Sequence, residues 1–169
     1  MEDRQGMTPA LHPNAARVQA VLAGLDATGQ VVELEASTRT AAEAAAAIGT
    51  TVEQIAKSLV FLADEEPVLV IASGIHRVSL ERLASHLGKP VRRADADAVR
   101  RLTGFPIGGV PPVGHPSPLR ILIDRGLLRN AEIWAAAGTP HAVFQTSPEE
   151  LVRVTGGEVV DVREDGEPR

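Results

Sequence analysis

Residues 55–62 read IAKSLVFL. Ile55, Leu59 and Phe61 alternate with Ala56, Val60 and Leu62, so both sides of an extended segment are apolar, as in a strand covered on both faces. Lys57 interrupts the pattern. The chain has only two lysines, Lys57 and Lys89, against many arginines, so a lysine at this point is an unusual choice. Burial disfavours the charged form of an amine, and such a lysine must reach water, find a partner, or sit in a cavity that uses its charge. The segment alone leaves two readings open. Lys57 either snorkels into solvent from the start of the strand or belongs to a site.

Outward from this strand, Asp64 to Pro67 form a turn, and Val68 to Ser73 return as the second strand of a hairpin. Upstream, Val18, Val21, Leu22 and Leu25 space an amphipathic helix over Asn14 to Ala27, with Gly29 as a stop. Gln30 to Glu35 alternate as a half-buried strand. Thr40 with Glu43 has capping-box spacing and opens an alanine-rich helix ending at Gly49; Thr50 with Glu53 repeats the device, predicting a second short helix.

Downstream, Ser79 caps a helix over Leu80 to Leu87 closed by Gly88, a short strand covers Pro90 to Arg93, and Asp95 caps a helix over Ala96 to Leu102 before Gly104. Strands follow at Leu119 to Asp124, Ala131 to Ala137 and His141 to Gln145. Ser147, Pro148 and Glu150 start a last helix that ends near Gly156. A final strand spans Glu158 to Val162, and Arg163 to Arg169 read as a frayed tail. The pattern mixes α and β without strict alternation. It fits one domain over residues 1–169, with 1–10 and 164–169 flexible.

Composition narrows the function classes. A 44% hydrophobic share in 169 residues suffices for a core. Aromatics are limited to Phe61, Phe105, Trp134 and Phe144, which argues against a stacking platform for single strands. No cysteine is present, so disulfides, thiolate nucleophiles and cysteine-type zinc sites are excluded. The first residues lack the charged and apolar regions of a secretory signal, and no segment reaches the length of a membrane span, so the expectation is cytoplasmic. A net charge of −5 argues against strong non-specific nucleic-acid binding. Arg92, Arg93, Arg100 and Arg101, with Lys89, form the one basic concentration, as solvated faces or as a local patch.

Residues 105–118, FPIGGVPPVGHPSP, hold three glycines and five prolines and allow no ordinary helix or strand. Successive N–H groups at Gly108, Gly109 and Val110 suit an anion-binding nest; a rigid crossover between strands is the other reading. The lysine and hydroxyl of a phosphate loop do not follow, and no helix starts where a dinucleotide fingerprint needs one. His12, His76, His86, His115 and His141 show no metal-ligand grouping, and no serine has a nucleophile-elbow context, so neither a metal nor another cofactor is expected. His115 and His141 are ordinary hydrogen-bonded histidines or proton carriers. A lysine at a strand mouth and a loop rich in backbone donors together suit hydrolysis of an activated acyl group by water.

Five ordered motifs carry a resemblance over nearly the whole chain: VEQIAKSLVF at 52–61, VIASGIHRVSLERLASHLG at 70–88, LTGFPIGGVPPVGH at 102–115, WAAAGTPHAVF at 134–144 and SPEELVRVTG at 147–156. The chain resembles the YbaK/EbsC-like proteins, free-standing relatives of the editing domain inserted in bacterial prolyl-tRNA synthetase. The resemblance implies a mixed, partly barrel-like β-sheet surrounded by helices and deacylation of mischarged tRNA in trans. It makes Lys57 the key side chain, with Ser58 as the small polar residue beside it. It assigns the loop Gly108, Gly109, Val110, Pro111, Gly114 and His115 to holding the aminoacyl ester and terminal adenosine, though position 115 varies among relatives. Gly138 and Thr139 fall at a turn bordering the amino-acid pocket. The expected substrate is a small wrong amino acid on proline tRNA, bound at its 3′ end, without metal or membrane. A prolyl-tRNA synthetase or elongation-factor partner would supply affinity that an acidic protein lacks. The alternatives are a non-catalytic module that binds aminoacyl-tRNA, a free amino acid or a nucleotide, and a hydrolase of other activated acyl compounds.

Overall fold

The computed structural model describes residues 10–167. At its centre is the expected hairpin. β2 (Ile55–Ala63) pairs antiparallel with β3 (Glu66–Ser73) from Ala56 opposite Ser73 to Ala63 opposite Glu66. Alternation buries both faces of this pair. Ala56 and Val60 join Leu69, Ile71 and Ile123 in the larger core, while Phe61 and Ala63 join Val68, Val70, Ala72 and Leu122 on the other side. Burying one such side chain fully, as at Phe61, is worth about 1.5–3 kcal/mol.

The remaining strands are β1 (Val31–Glu33), β4 (Val91–Arg93), β5 (Arg120–Asp124), β6 (Ile133–Ala136), β7 (Ala142–Thr146) and β8 (Glu158–Val160). The sheet runs β1-β7-β6-β2-β3-β5-β8, with β4 attached to β2 off this path. It is mixed: β2 to β6, β3 to β5 and β5 to β8 are parallel, the other pairs antiparallel. The path is open, ending at β1 and β8.

Five α-helices lie among the described residues: α1 (Pro13–Gly24), α2 (Ala41–Ile48), α3 (Leu80–Leu87), α4 (Ala96–Thr103) and α5 (Pro148–Thr155). Their ends follow the expected chemistry at α2, where Thr40 Oγ1 accepts from Glu43 N at 3.1 Å and Glu43 Oε1 from Thr40 N at 3.3 Å. Gly49 then closes α2 at φ +86°.

Several expectations need correction. α1 starts one residue early, capped by His12, and stops at Gly24; the loop after it turns at Asp26, whose φ is +57°. Gly29 serves a different purpose, because a Cβ there would lie 2.0 Å from Gln145 O. The second short helix is a single 3-10 turn, Val52–Gln54, and its reciprocal partners are Thr51 and Gln54, one place beyond Thr50 and Glu53. A 3-10 segment at Arg125–Arg129 was not anticipated; Asp124 caps it by accepting from Gly126 N at 2.9 Å. The expected frayed tail is tied down through Glu167: Arg163 bridges Val78, Glu164 N donates to Arg77 O at 2.9 Å, and Glu167 Oε1 accepts from Arg77 N at 2.6 Å. Of the segments expected to be flexible, 1–9 and 168–169 lie outside the described residues.

Candidate functional site

On the side away from β3, β2 has two different neighbours. β6 pairs only at Ile55 and Ala56, and β4 only from Phe61 to Ala63. The sheet therefore forks along residues 57–60. Gly74 N donates to Ile55 O on the β3 side, so the odd residues of β2 bond to β3 and the even ones point their N–H and C=O the other way. Ala56 meets β6, and Val60 O accepts from Ala94 N at 3.1 Å. Between them, the N–H and C=O of Ser58 face the gap.

A cavity of about 390 Å³ fills the fork. Lys57, Ser58, Leu59 and Val60 form its floor, Ile107, Gly108 and Val110 one wall, Thr38 to Ala41 another, and Trp134 to Ala136 a third. Among the described residues its lining carries three cationic side chains, Lys57, Arg39 and Arg93, and no carboxylate, in a chain of net charge −5. Burial holds the Lys57 amine below its ordinary value of 10.5; Glu167 and Asp124 act against that shift, Arg93 and Arg77 add to it. The Lys57 side chain makes no hydrogen bond or ion pair among the described residues, although it is only partly exposed. Arg93 is seated over the Phe61 ring, 5.7 Å from its centroid. Among the described residues, two buried hydroxyls lack a hydrogen-bond partner, Thr38 Oγ1 and Ser58 Oγ, and both belong to residues lining this cavity. A native fold rarely leaves such groups unpaired without a reason.

The glycine-rich loop contributes differently from the donor nest expected of it. Gly108, at φ +86°, reaches the cavity, and a Cβ there would lie 2.5 Å from Arg39 Cγ. Gly109 N is already committed to Pro106 O at 2.9 Å, and Gly109 O accepts from Gly138 N at 2.8 Å, so the middle donor of the nest is spent on the turn.

Of the expected site residues, Lys57, Ser58, Gly108 and Val110 line the cavity, and Gly109, Pro111, Gly114, His115, Gly138 and Thr139 do not. His115 Nε2 donates to Pro111 O at 2.8 Å and closes the loop on itself. Gly114 approaches Val21 of α1, and Gly138, at φ +103°, packs on Asn14, whose Nδ2 donates to its carbonyl at 3.2 Å. Thr139 Oγ1 accepts from His141 N at 3.1 Å. That turn in turn holds the cavity wall, with Thr38 N donating to Pro140 O at 2.6 Å and His141 Nδ1 bonded to Ala36 O at 3.1 Å. Sequence reasoning missed Thr38, Arg39 and Trp134 as cavity residues. The signal nearest to them was the Thr40 cap, which marks where α2 starts but not what the residues before it face.

Burial is the main cause holding the His115 imidazole below 6.5; the Pro111 carbonyl opposes this, and Arg17 adds to it. A depressed folded value means that the unfolded chain binds the proton more readily. The stability is therefore present above pH 6.5 and is lost as pH falls below it toward the folded value. The thermal midpoint of the natural protein is expected to fall more steeply below that pH than the midpoint of His115→Gln.

A family model for the aminoacyl-tRNA editing domain matches residues 35–154, which spans the cavity strand, the loop and α5. The chain belongs to the aminoacyl-tRNA editing domain family. Protein YwhH of Bacillus subtilis (strain 168) is 30% identical to this editing domain over 139 residues, 81% of this chain and 88% of YwhH. The proline–tRNA ligase of Streptococcus sanguinis (strain SK36) is 33% identical over 129 residues, 75% of this chain but only 20% of the ligase. A crystal structure of a candidate trans-editing enzyme for prolyl-tRNA synthetase superposes with a TM-score of 0.86 at 48% identity, covering 92% of this chain and 99% of that one. The editing domain thus has the mixed α/β fold that the resemblance implies, and its function is editing-related. Among the described residues, no helix is long and apolar enough to cross a membrane.

Proposed function

We propose that the protein hydrolyses mischarged aminoacyl-tRNA in trans, releasing a small wrong amino acid from proline tRNA. The observation that carries this reading is the fork cavity, whose charged lining among the described residues is all cationic within an acidic protein. Such a cavity favours an apolar acyl group joined to a phosphate-bearing nucleotide, and disfavours a free carboxylate product less than a protein of this net charge otherwise would. Water attacks the acyl carbon, the bond from that carbon to the ribose oxygen breaks, and the oxygen leaves as a hydroxyl with a proton. The products are a free amino acid and an uncharged tRNA.

Lys57 is assigned to orienting the ester and receiving the charge that develops on its carbonyl oxygen. Gly108 and Val110, which line the cavity, are assigned as the loop's amide donors, since Gly109 N is committed to Pro106 O. Arg39 and Arg93 are assigned to the phosphates of the 3′ end. With two such contacts, kcat/KM is expected to fall with salt at a log–log slope of about −1.4, or about sevenfold between 50 and 200 mM. Arg39→Gln with Arg93→Gln should flatten that slope; an unchanged slope removes the arginines from the substrate path. A synthetase or elongation-factor partner would raise the effective concentration of a weakly held tRNA.

The test is a panel of mischarged tRNAs incubated with the purified protein, with and without prolyl-tRNA synthetase. Release of the amino acid from one or more of them is expected. No release from any, with ligand-induced thermal stabilisation by the same tRNAs, would replace the enzyme by a binding module.

A further inference from the structure

The cations of the fork cavity are open to a ligand. Lys57 is partly exposed, and Arg39 and Arg93 are exposed. None of the three has an ion-pair partner among the described residues, and Arg93 rests only on the Phe61 ring. Lys89, the chain's other lysine, is the contrast: its Nζ lies on the surface, 3.0 Å from Glu66 Oε1, an ammonium already held by a carboxylate.

A lysine amine becomes a nucleophile toward carbonyl carbon when it is desolvated or set beside another cation. Lys57 meets both conditions. Burial is the first cause lowering its value, and Arg93 and Arg77 add to it against Glu167 and Asp124. The guanidiniums bring a second chemistry, since their planar forks match the oxygens of a phosphate. Much of the remaining lining is apolar, with Ile48, Ile55, Val60 and Trp134 among it. The volume of about 390 Å³ lies within the range of small-molecule sites. A small carbonyl compound bearing a phosphate uses the amine, the guanidiniums and the apolar wall together.

We infer that the cavity is a covalent site for a small phosphorylated aldehyde, with Lys57 as the amine that forms an imine and Arg39 and Arg93 as the phosphate clamp. Lys57 Nζ, as the neutral amine, attacks the aldehyde carbon. The carbon–nitrogen double bond forms, the carbon–oxygen bond breaks, and the oxygen leaves as water with both amine protons. This site goes beyond the deacylase reading and does not depend on it. An aldehyde bound there fills the space that the acyl ester needs, so its occupancy closes the cavity to that substrate.

The experiment titrates the purified protein with pyridoxal phosphate, traps imines with borohydride, and maps the label by peptide mass spectrometry to Lys57, Lys89 and the chain's amino terminus. Lys57 is expected to be half-labelled at a concentration at least about tenfold below that for Lys89, a difference that a few charge-assisted phosphate contacts supply. Pyridoxal, which lacks the phosphate, should need at least about tenfold more to label Lys57 and should label Lys89 as before. Arg39→Gln with Arg93→Gln should reproduce that loss for pyridoxal phosphate. Parallel labelling of the two lysines overturns the inference, as does equal labelling of Lys57 by pyridoxal and pyridoxal phosphate; both comparisons use the natural protein and need no variant to fold. Glyceraldehyde 3-phosphate, trapped in the same way, distinguishes the source. Preferential labelling of Lys57 by either aldehyde supports the site, the more potent one showing whether a ring or an acyclic chain fits, and preference by neither overturns it.

Discussion

Lys57→Ala is expected to lower the deacylation rate by about two to three orders of magnitude, the loss typical of removing one donor aimed at a developing oxyanion. Single-turnover release of the amino acid from a saturating mischarged tRNA measures it, and hydrolysis undiminished in the mutant would remove Lys57 from the site. The fold should survive. Lys57 makes no ion pair among the described residues, and its main environmental effect is burial, which disfavours the charge it carries at neutral pH. Because its folded value is depressed, the native state binds the proton less readily than the unfolded chain. The cost is present at neutral pH and is relieved as pH rises from the depressed value toward 10.5. Lys57→Met should therefore match or exceed the natural protein in thermal midpoint at pH 7. Activity has the opposite dependence. The rate that needs the ammonium declines as pH rises through the same window, after uncatalysed ester hydrolysis is subtracted.

The largest expected effect on stability lies behind the cavity, at Asp124. Its carboxylate is fully buried and bonded to His76 Nδ1 at 2.7 Å, Ser73 N at 3.0 Å and Gly126 N at 2.9 Å. Asp124→Ala strands these donors in a fully buried region, at a cost of about 3–5 kcal/mol. For a chain of this size, that lowers the thermal midpoint by roughly 6–20 °C. Equilibrium urea unfolding of the variant measures the change, and a loss below about 1 kcal/mol would show that the region relaxes to satisfy its donors. The effect should reach the site as well. Ser73, which Asp124 holds, is the register partner of Ala56 at the entrance of the fork.

The hairpin that carries Lys57 was legible because its information is local. Alternation over eight residues, an acidic turn and a matching return strand define it without reference to the rest of the chain. The helix starts were legible for the same reason: a cap and its partner lie three residues apart, as at Thr40 with Glu43 and Ser147 with Glu150. The fork was not legible. It exists because β4 and β6, far apart in sequence, each stop short along one edge of β2, and no local pattern states where a distant strand stops.

The doublet at Arg92 and Arg93 shows the same limit. Arg92 turns outward to Glu65 at 3.2 Å, while Arg93 lies over Phe61 and faces the cavity, so one reading of the pair does not serve both. Nor could the sequence say which loop amides are free, since Gly109 looks like its neighbours until Pro106 takes its N–H. The family motifs located Lys57 and the loop; Thr38, beside the better-marked Thr40, emerges only when its buried hydroxyl is found without a partner.

The fork also divides the molecule mechanically. β2 and β3 are joined over eight residue pairs, whereas one jaw of the cavity hangs on β2 by three pairs and the other by two. The strand bearing Lys57 is therefore held by an unbroken ladder on one side and by an interrupted one on the other. Hydrogen exchange should accordingly release Ala94 N, at the base of the β4 jaw, well before the amides of β2 that bond to β3.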